Sequence, residues 1–130
     1  MAYRDRFELA REQYRKALTR LHEVVALNET DVVRDSLIQR FDFTYELAWK
    51  SMFYWMKDQG EQVPEMQKPI LQAAFRCGLI LDPQLWEDIK EQRDETSHTY
   101  NEDKAVFVSA YVRTQAMPAF DAWLEKLNAL

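Results

Sequence analysis

The chain has 130 residues, of which 47% are hydrophobic and 30% are charged, and this composition indicates one folded domain over residues 1–130 rather than a disordered segment. Its net charge of −5 argues against nucleic-acid binding driven by charge over the whole surface. A single cysteine allows no internal disulfide, and the sequence shows neither a signal peptide nor an apolar run of about 18 residues, so we expect a cytoplasmic protein with no membrane partner.

The first predicted helix covers about residues 3–27. Two apolar series recur along it every seven residues: Phe7, Tyr14 and Leu21, and Ala10, Ala17 and Val24. This spacing is typical of a helix that packs into a bundle along one seam. Residues 1–20 also carry six basic and three acidic side chains, so the start of the chain has a charge of +3.

The second predicted helix covers about residues 31–59, with Thr30 as its N-terminal cap. Its second half, FDFTYELAWKSMFYWM, has eleven apolar residues of sixteen, on nearly every face. A helix of this kind must be covered on more than one side, so we expect a second subunit to contact it. Asp42, Glu46 and Lys50 form the remaining polar stripe, and their spacing of four residues favours a pair between Glu46 and Lys50.

Two shorter helices follow. The first is predicted at about residues 68–77, and the second begins at Pro83, with Asp82 as its cap. This fourth helix is expected to end near Ser97 or Tyr100, because TSHTYNED is rich in side chains that compete for backbone hydrogen bonds.

The fifth predicted helix covers about residues 103–128, and we expect a kink at Pro118, because proline lacks an amide hydrogen and clashes with the preceding turn. Five apolar residues are expected on its inner face: Val108, Val112, Ala119, Trp123 and Leu127. Gly60 and Gly78 are predicted helix stops, since glycine adopts the left-handed conformation without a steric penalty. The predicted fold class is all-α, an up-and-down bundle of about five helices with a four-helix core.

The segment RDETSHTYNE brings Arg93, His98 and Tyr100 close together in sequence. Arginine stays protonated, and its planar guanidinium suits phosphate oxygens, whereas histidine titrates near neutrality. Together they are sufficient for RNA cleavage without a metal. A base removes the proton of the 2′-hydroxyl, a cation stabilises the charge on phosphorus, and an acid protonates the leaving 5′ oxygen. The Tyr100 phenol is placed to contact a base, a phosphate or a partner.

A plainer interpretation is favoured by periodicity and spacing alone. Five residues on an ideal helix separate Arg93 and His98 by about 140°, so they share a face only if the helix ends between them or if two chains combine. On the plainer interpretation Arg93 pairs with Glu46 or a surface acid, His98 closes a helix, and Tyr100 packs. Ser97 then serves only the helix end.

The charge around this segment fits RNA poorly. Residues 82–104 carry eight acidic and three basic side chains, which gives a charge of −5. RNA chemistry would therefore need help from another surface, and the basic face of the first helix is the best candidate for guiding RNA.

Other site types are not supported. His22 and His98 with scattered carboxylates do not form a metal-binding pattern, and no glycine-rich phosphate loop is present, so we predict neither a metal nor a cofactor. Cys77 is interpreted as a packing thiol rather than a reactive one.

The residues around this segment resemble a known family. RDETSHTY matches the Arg-x4-His-x-Tyr form of the motif of HEPN domains, and it resembles in particular the HepT branch, which includes nucleotidyltransferase substrate-binding proteins. LIQRFDFTYELAWKSM is similar to the second helix of that branch, and SHTYNE is similar to the end of its motif. The resemblance covers nearly the whole chain in length and in the order of helices.

The resemblance implies a HEPN-like helical bundle that forms a homodimer, with two motifs facing each other across the interface. Arg93 of one chain could then act with His98 of the other as ribonuclease residues on an RNA substrate. It also implies a type VII toxin–antitoxin module, in which an MntA-type nucleotidyltransferase antitoxin adds AMP to the motif tyrosine, here Tyr100. A bulky anionic adduct two residues from His98 would block RNA.

Two other functions remain open from the sequence. In one, the chain is a non-catalytic substrate-binding subunit that presents Tyr100 or a bound molecule to a nucleotidyltransferase. In the other, it is a helical dimer without a ligand. In the enzymatic interpretation Glu46 and Ser97 are supporting residues beside Arg93 and His98.

Overall fold

Helices account for nearly all of the regular structure in the computed structural model, which describes residues 2–130. Within these residues there are six α-helices and no β-strand: α1 Tyr3–Val25, α2 Asp31–Asp58, α3 Gln67–Arg76, α4 Pro83–Glu95, α5 Glu102–Tyr111 and α6 Met117–Asn128. A 3-10 turn at Thr96–His98 follows α4, and a π-helical turn at Val112–Ala116 joins α5 to α6. The predicted all-α class is confirmed.

The helix ends follow from local hydrogen bonding. The side chains of Thr30 and Asp82 each accept a hydrogen bond from the backbone amide three residues later, at 3.2 and 3.0 Å. Asn101 caps α5 in the same way, at 3.3 Å. Gly60 and Gly78 have φ angles of +86° and +76°, the left-handed conformation predicted for helix stops. The chain therefore begins and ends most helices where short polar side chains or glycine direct it.

The fifth predicted helix is continuous but irregular. Pro118 lies in the first turn of α6, directly after the π turn, and its missing amide hydrogen removes one donor from this helical run. The irregularity lies immediately before it, in the π turn, which widens the hydrogen-bonding pattern over five residues. The irregularity is therefore a π turn on the N-terminal side of Pro118, and the kink at the proline stays a prediction. The expected inner face is buried along its whole length.

The second helix is the centre of the bundle. It packs against α1, α3, α4 and α5, and its buried side chains point in several directions. Within residues 41–56, all of which the structure describes, Phe43 is the one apolar residue classed as exposed, at 52%. The helices of one chain therefore account for most of the apolar character of α2, and contact with a second subunit stays a prediction.

Buried polar side chains connect the outer helices to one another and to α2. The Tyr14 hydroxyl of α1 donates to the Phe120 carbonyl of α6 at 2.7 Å. Trp123 of α6 donates its indole N–H to the Ser51 hydroxyl of α2 at 3.0 Å. Burial, and then the charge of Asp121, raise the pKa of Tyr14 well above its ordinary value, so this phenol keeps its proton and remains a donor.

No helix found between residues 2 and 130 is both long enough and apolar enough to cross a membrane.

We predict that Tyr14→Phe lowers the free energy of unfolding by about 1 kcal/mol, because it removes a buried hydrogen bond and leaves the shape of the side chain unchanged. Urea unfolding followed by circular dichroism measures the change. Tyr3→Phe is the matched control, since Tyr3 lies on the same helix and is 43% exposed, and it should alter stability by less than about 0.5 kcal/mol. Equal losses in both variants would contradict the assignment.

Candidate functional site

The candidate site lies where α4 ends against the polar stripe of α2. The α-helix stops at Glu95, slightly earlier than predicted, and the 3-10 turn carries the chain on to His98. Hydroxyl groups organise this end: Ser97 donates to the Asp94 carbonyl at 3.0 Å, and Thr99 donates to the Thr96 carbonyl at 2.9 Å. These side chains satisfy carbonyls that the helix leaves free, which is why α4 ends here.

Arg93 faces α2 from the last turn of α4. Its Nη2 lies 3.8 Å from Oε2 of Glu46, the pair that the plainer interpretation predicted. Its Nε is buried without a hydrogen-bond partner in the part of the chain that the structure describes. An ion pair this long, between side chains that are 37% and 32% exposed, holds the guanidinium only weakly. Arg93 therefore keeps N–H donors that a phosphate group could use.

Glu46 is the centre of the charged contacts at this end. Besides Arg93, it accepts the indole N–H of Trp49 at 3.1 Å, and its other oxygen lies 3.7 Å from Nζ of Lys50. The predicted pair between Glu46 and Lys50 is confirmed. Glu46 thus connects the motif arginine to a lysine one turn along α2.

Asp42 is a second acid in the site, and sequence reasoning named it only as part of a stripe. The Thr96 hydroxyl lies 3.1 Å from its Oδ2 and 2.6 Å from the Arg93 carbonyl. Its Oδ1 is buried and lacks a hydrogen-bond partner among residues 2–130. Burial raises the pKa of Asp42, the Thr96 hydrogen bond and the Arg93 charge lower it in part, and the charge of Glu46 raises it further.

His98 and Tyr100 are open to solvent. Tyr100 is 87% exposed, and the His98 and Tyr100 rings meet edge to face with centroids 6.2 Å apart. Neither side chain forms a hydrogen bond within residues 2–130. The plainer expectation that Tyr100 packs into the fold is wrong, because the 3-10 turn carries it away from the core. The imidazole and the phenol are both accessible to a large substrate or a partner.

One chain does not bring Arg93 and His98 together. No hydrogen bond or ion pair joins them in the described part of the chain. Arg93 is directed at α2, whereas His98 lies on the exposed turn beyond the end of α4. The end of α4 thus presents a guanidinium directed at α2 and an exposed imidazole that do not bond to each other.

The acidic neighbourhood predicted from the sequence surrounds this end of α4. Lys90 pairs with Asp94 at 3.0 Å, and Lys104 pairs with Glu95 at 3.1 Å. Both lysines of the segment are therefore neutralised by neighbouring carboxylates, which leaves the exposed surface negative. Electrostatic attraction alone would not bring RNA to this surface.

The remaining reactive side chains lie elsewhere. Nε2 of His22 is 2.6 Å from Oδ1 of Asp121, on an exposed part of the surface. Burial raises the pKa of Cys77, and so does the charge of Glu61, which keeps this side chain a thiol at neutral pH. Among residues 2–130, no group of three or more histidine, cysteine or carboxylate side chains is arranged to hold a metal ion.

The sequence and the fold are similar to those of known proteins. The family described as "Nucleotidyltransferase substrate binding protein like" matches residues 9–129. Over 92 residues the chain is 35% identical to a Haemophilus influenzae protein named "Probable ribonuclease HepT", and the match covers 65% of this chain. It covers 63% of that relative, so the chain spans less than two thirds of the relative's length.

Two solved structures share the fold. A Thermus thermophilus protein superposes with a TM-score of 0.73 at 29% identity, covering 89% of this chain and 96% of that protein. A Haemophilus influenzae protein superposes with a TM-score of 0.65 at 26% identity, covering 94% and 96%. The latter structure is described as revealing the fold of a substrate binding domain of a nucleotidyltransferase.

We predict that the free energy of unfolding of the Asp42→Asn variant increases, relative to that of the natural chain, as pH rises. Below the ordinary carboxyl pKa of 3.8 both side chains are neutral. Because folding raises the pKa of Asp42, the natural chain loses stability as pH rises from the ordinary carboxyl value to the raised one, and asparagine avoids this loss. Urea unfolding of both proteins from acid to neutral pH measures the difference. Asp35→Asn, at an exposed position of α2, should give a flat difference, and a difference that falls with pH for Asp42→Asn would overturn the prediction.

Proposed function

Because the chain belongs to the family of nucleotidyltransferase substrate binding protein-like proteins, we propose that it is a HepT-like HEPN ribonuclease regulated by a nucleotidyltransferase partner. The observation that carries the proposal is the segment from Arg93 to Tyr100. It places a weakly held guanidinium at the last turn of a helix and an accessible imidazole and phenol just beyond it. In this proposal the chain is the toxin of a type VII toxin–antitoxin module and acts in the cytoplasm.

The chemistry requires two groups from this chain. Arg93 binds a non-bridging phosphate oxygen and stabilises the charge that develops as the 2′ oxygen attacks phosphorus. His98 removes the 2′-hydroxyl proton or protonates the leaving 5′ oxygen. One fragment ends in a 2′,3′-cyclic phosphate and the other begins with a 5′-hydroxyl. His98 and solvent together accept the 2′-hydroxyl proton and supply the proton for the 5′ oxygen, so no metal ion is needed.

The proposal includes a homodimer, because Arg93 and His98 of one chain are not bonded to each other and a second chain can complete the pair. Arg93 is directed at α2, and His98 is exposed on the turn. A two-fold pair that apposes the two turns would place the Arg93 of one subunit opposite the His98 of the other. Glu46 then keeps Arg93 extended from α4, and Ser97 fixes the turn that presents His98 through its bond to the Asp94 carbonyl.

Regulation in this proposal acts at Tyr100. Its phenol is 87% exposed and forms no hydrogen bond within the described residues, so a transferase of the MntA type can reach it. Transfer of AMP joins the phenol oxygen to the α-phosphate of ATP and releases pyrophosphate. The adduct adds bulk and negative charge beside His98, and both features oppose binding of an RNA phosphate.

A second function has support of its own. The matched family and the second solved structure are both described by substrate binding for a nucleotidyltransferase. On this alternative the chain is a non-catalytic subunit that presents Tyr100 or a bound molecule to the transferase, and the pair of Arg93 with Glu46 is structural. The two functions share the partner and differ in whether the chain cleaves RNA.

We predict that the purified chain cleaves RNA in the presence of EDTA and that His98→Ala lowers the rate at least about 100-fold, as expected when a proton-transfer group is removed. Gel analysis of a labelled RNA, with identification of the cyclic phosphate end, measures this. His22→Ala is the matched control, because His22 pairs with Asp121 away from the site. No cleavage by the natural chain would favour the substrate-binding subunit, whereas cleavage retained by His98→Ala would refute His98 as the proton-transfer group.

The shared site has a sharper test within the same experiment. Arg93→Ala and His98→Ala chains with different tags are co-expressed, and the mixed dimers are purified through both tags. If each site combines two subunits, one of the two sites is intact and about half of the natural activity returns. If each site lies within one chain, the mixed dimers are as inactive as either parent.

We predict that co-expression with an MntA-type nucleotidyltransferase adds AMP to Tyr100. Intact-protein mass spectrometry detects the adduct, and Tyr100→Phe should abolish it because the acceptor oxygen is absent. Tyr3→Phe, at another exposed tyrosine, should leave it unchanged. An adduct that persists in Tyr100→Phe would refute Tyr100 as the acceptor.

A further inference from the structure

A groove runs along the outer surface between α1 and α2. Two adjoining depressions, of about 320 and 400 Å³, share Gln13 and Leu47 in their walls and so form one continuous channel. Along α1 the channel extends from Arg6 to Arg20, a distance of about 21 Å at 1.5 Å per residue. We call it the basic groove, after its five charged wall residues: Arg6, Lys16, Arg20, Arg40 and Lys50.

The charge of the basic groove is of one sign. Every charged residue in its walls is a cation, on a chain whose net charge is −5. Arg6, Lys16 and Arg20 form a stripe on α1, and within residues 2–130 none of the three is in an ion pair. Arg40 donates to the Arg20 carbonyl at 2.7 Å and lies 3.8 Å from Glu23, so it partly fixes the wall. These unpaired cations give the groove a positive potential that favours an anionic ligand.

The floor of the basic groove is apolar and partly aromatic. Phe43 and Leu9 are 52% and 51% exposed there, and the Arg6 guanidinium lies 5.9 Å from the centroid of the Tyr54 ring. Exposed aromatic rings between cations suit single-stranded nucleic acid, whose bases stack on the rings while its phosphates meet the charges. An acidic protein surface could pair with the cations, but it would offer no planar groups to stack on the aromatic rings.

A second copy of the chain fits the groove less well. Two such grooves facing each other across a two-fold axis would bring together ten cations. The acidic α4 end of another copy matches the groove in charge. A contact between two different surfaces, however, does not form a two-fold dimer and instead adds further copies in a ring or filament. The charge pattern therefore favours an extended polyanion.

The geometry points to the basic groove as the track that holds single-stranded RNA beside the candidate site, an inference that rests on the proposed ribonuclease function. The groove connects to the motif across α2: Lys50 lies 3.7 Å from Glu46, and Glu46 lies 3.8 Å from Arg93. A strand bound in the groove passes this edge and reaches Arg93. The acidic surface around His98 then needs to bind only the reacting phosphate, because the groove supplies the affinity.

The test measures RNA binding without cleavage. The full chain carrying His98→Ala is titrated against a labelled single-stranded RNA of about 12 nucleotides, by fluorescence anisotropy at several salt concentrations. Lys16→Ala/Arg20→Ala should weaken binding and lower the slope of log K against log salt by about 1.4, or 0.7 for each lost phosphate contact. Phe43→Leu keeps the floor apolar but removes the ring, and should weaken binding about 5-fold or more.

Matched controls lie on α3. Lys68→Ala/Arg76→Ala removes two exposed cations, so both double variants change the net charge from −5 to −7. Phe75→Leu makes the same aromatic change at a side chain that is 49% exposed. The depression that these three residues line also contains Glu87 and Glu91, so it should not bind RNA. The control variants should bind as tightly as the His98→Ala parent.

Three results would overturn the inference. The first is equal weakening by the α1 and α3 double variants, which would indicate general charge rather than a site. The second is RNA binding that Lys16→Ala/Arg20→Ala leaves unchanged. The third is unchanged RNA binding together with a change of oligomeric state, measured by light scattering, or of transferase binding, measured by pull-down. The ribonuclease proposal fails separately, through the cleavage assay, so that RNA binding in the groove without cleavage would retain this inference and refute that one.

Discussion

The position of the candidate site depends on the burial of α2 at the centre of the bundle. Because α1 covers one side of this helix and α3, α4 and α5 cover others, the charged residues of its second half are left in one stripe. Asp42, Glu46 and Lys50 form this stripe, and the end of α4 brings Arg93 against it. The outer edge of the same helix, next to α1, carries Phe43 and becomes the floor of the basic groove. One buried helix thus sets both the arginine environment and the adjacent cationic channel.

The electrostatics of the site are asymmetric. Arg93 faces the carboxyl groups of Glu46 and Asp42. Burial raises the pKa of Asp42, so this group resists ionisation and is a weaker source of negative charge beside the guanidinium. The long contact with Glu46 leaves Arg93 oriented but not saturated with hydrogen bonds. This condition suits a side chain that exchanges an internal carboxylate for a phosphate, because neither state requires a large rearrangement. His98 and Tyr100, by contrast, are held only by the backbone of the turn.

Charge is also divided across the molecule. The acidic surface around the motif and the cationic groove between α1 and α2 lie on either side of the polar stripe of α2. A chain with a net charge of −5 can still bind a polyanion if its free cations are collected in one channel, since fields at a surface are set by nearby charges more than by the total. In the proposed ribonuclease, negative charge around the motif would limit non-productive binding of nucleic acid there.

The sequence by itself determined the class of fold, the helix ends and the identity of the motif residues. Thr30, Asp82 and the two glycines act through hydrogen bonds and dihedral angles within about four residues, so local rules suffice to place them. Only the tertiary structure decided that Tyr100 is exposed rather than packed, that Asp42 and Thr96 join the site, and that a π turn lies just before Pro118. Arg93 and Glu46 are 47 positions apart, and their contact was one of several that the sequence allowed. Such contacts depend on how helices pack against one another, which periodicity along one helix does not specify.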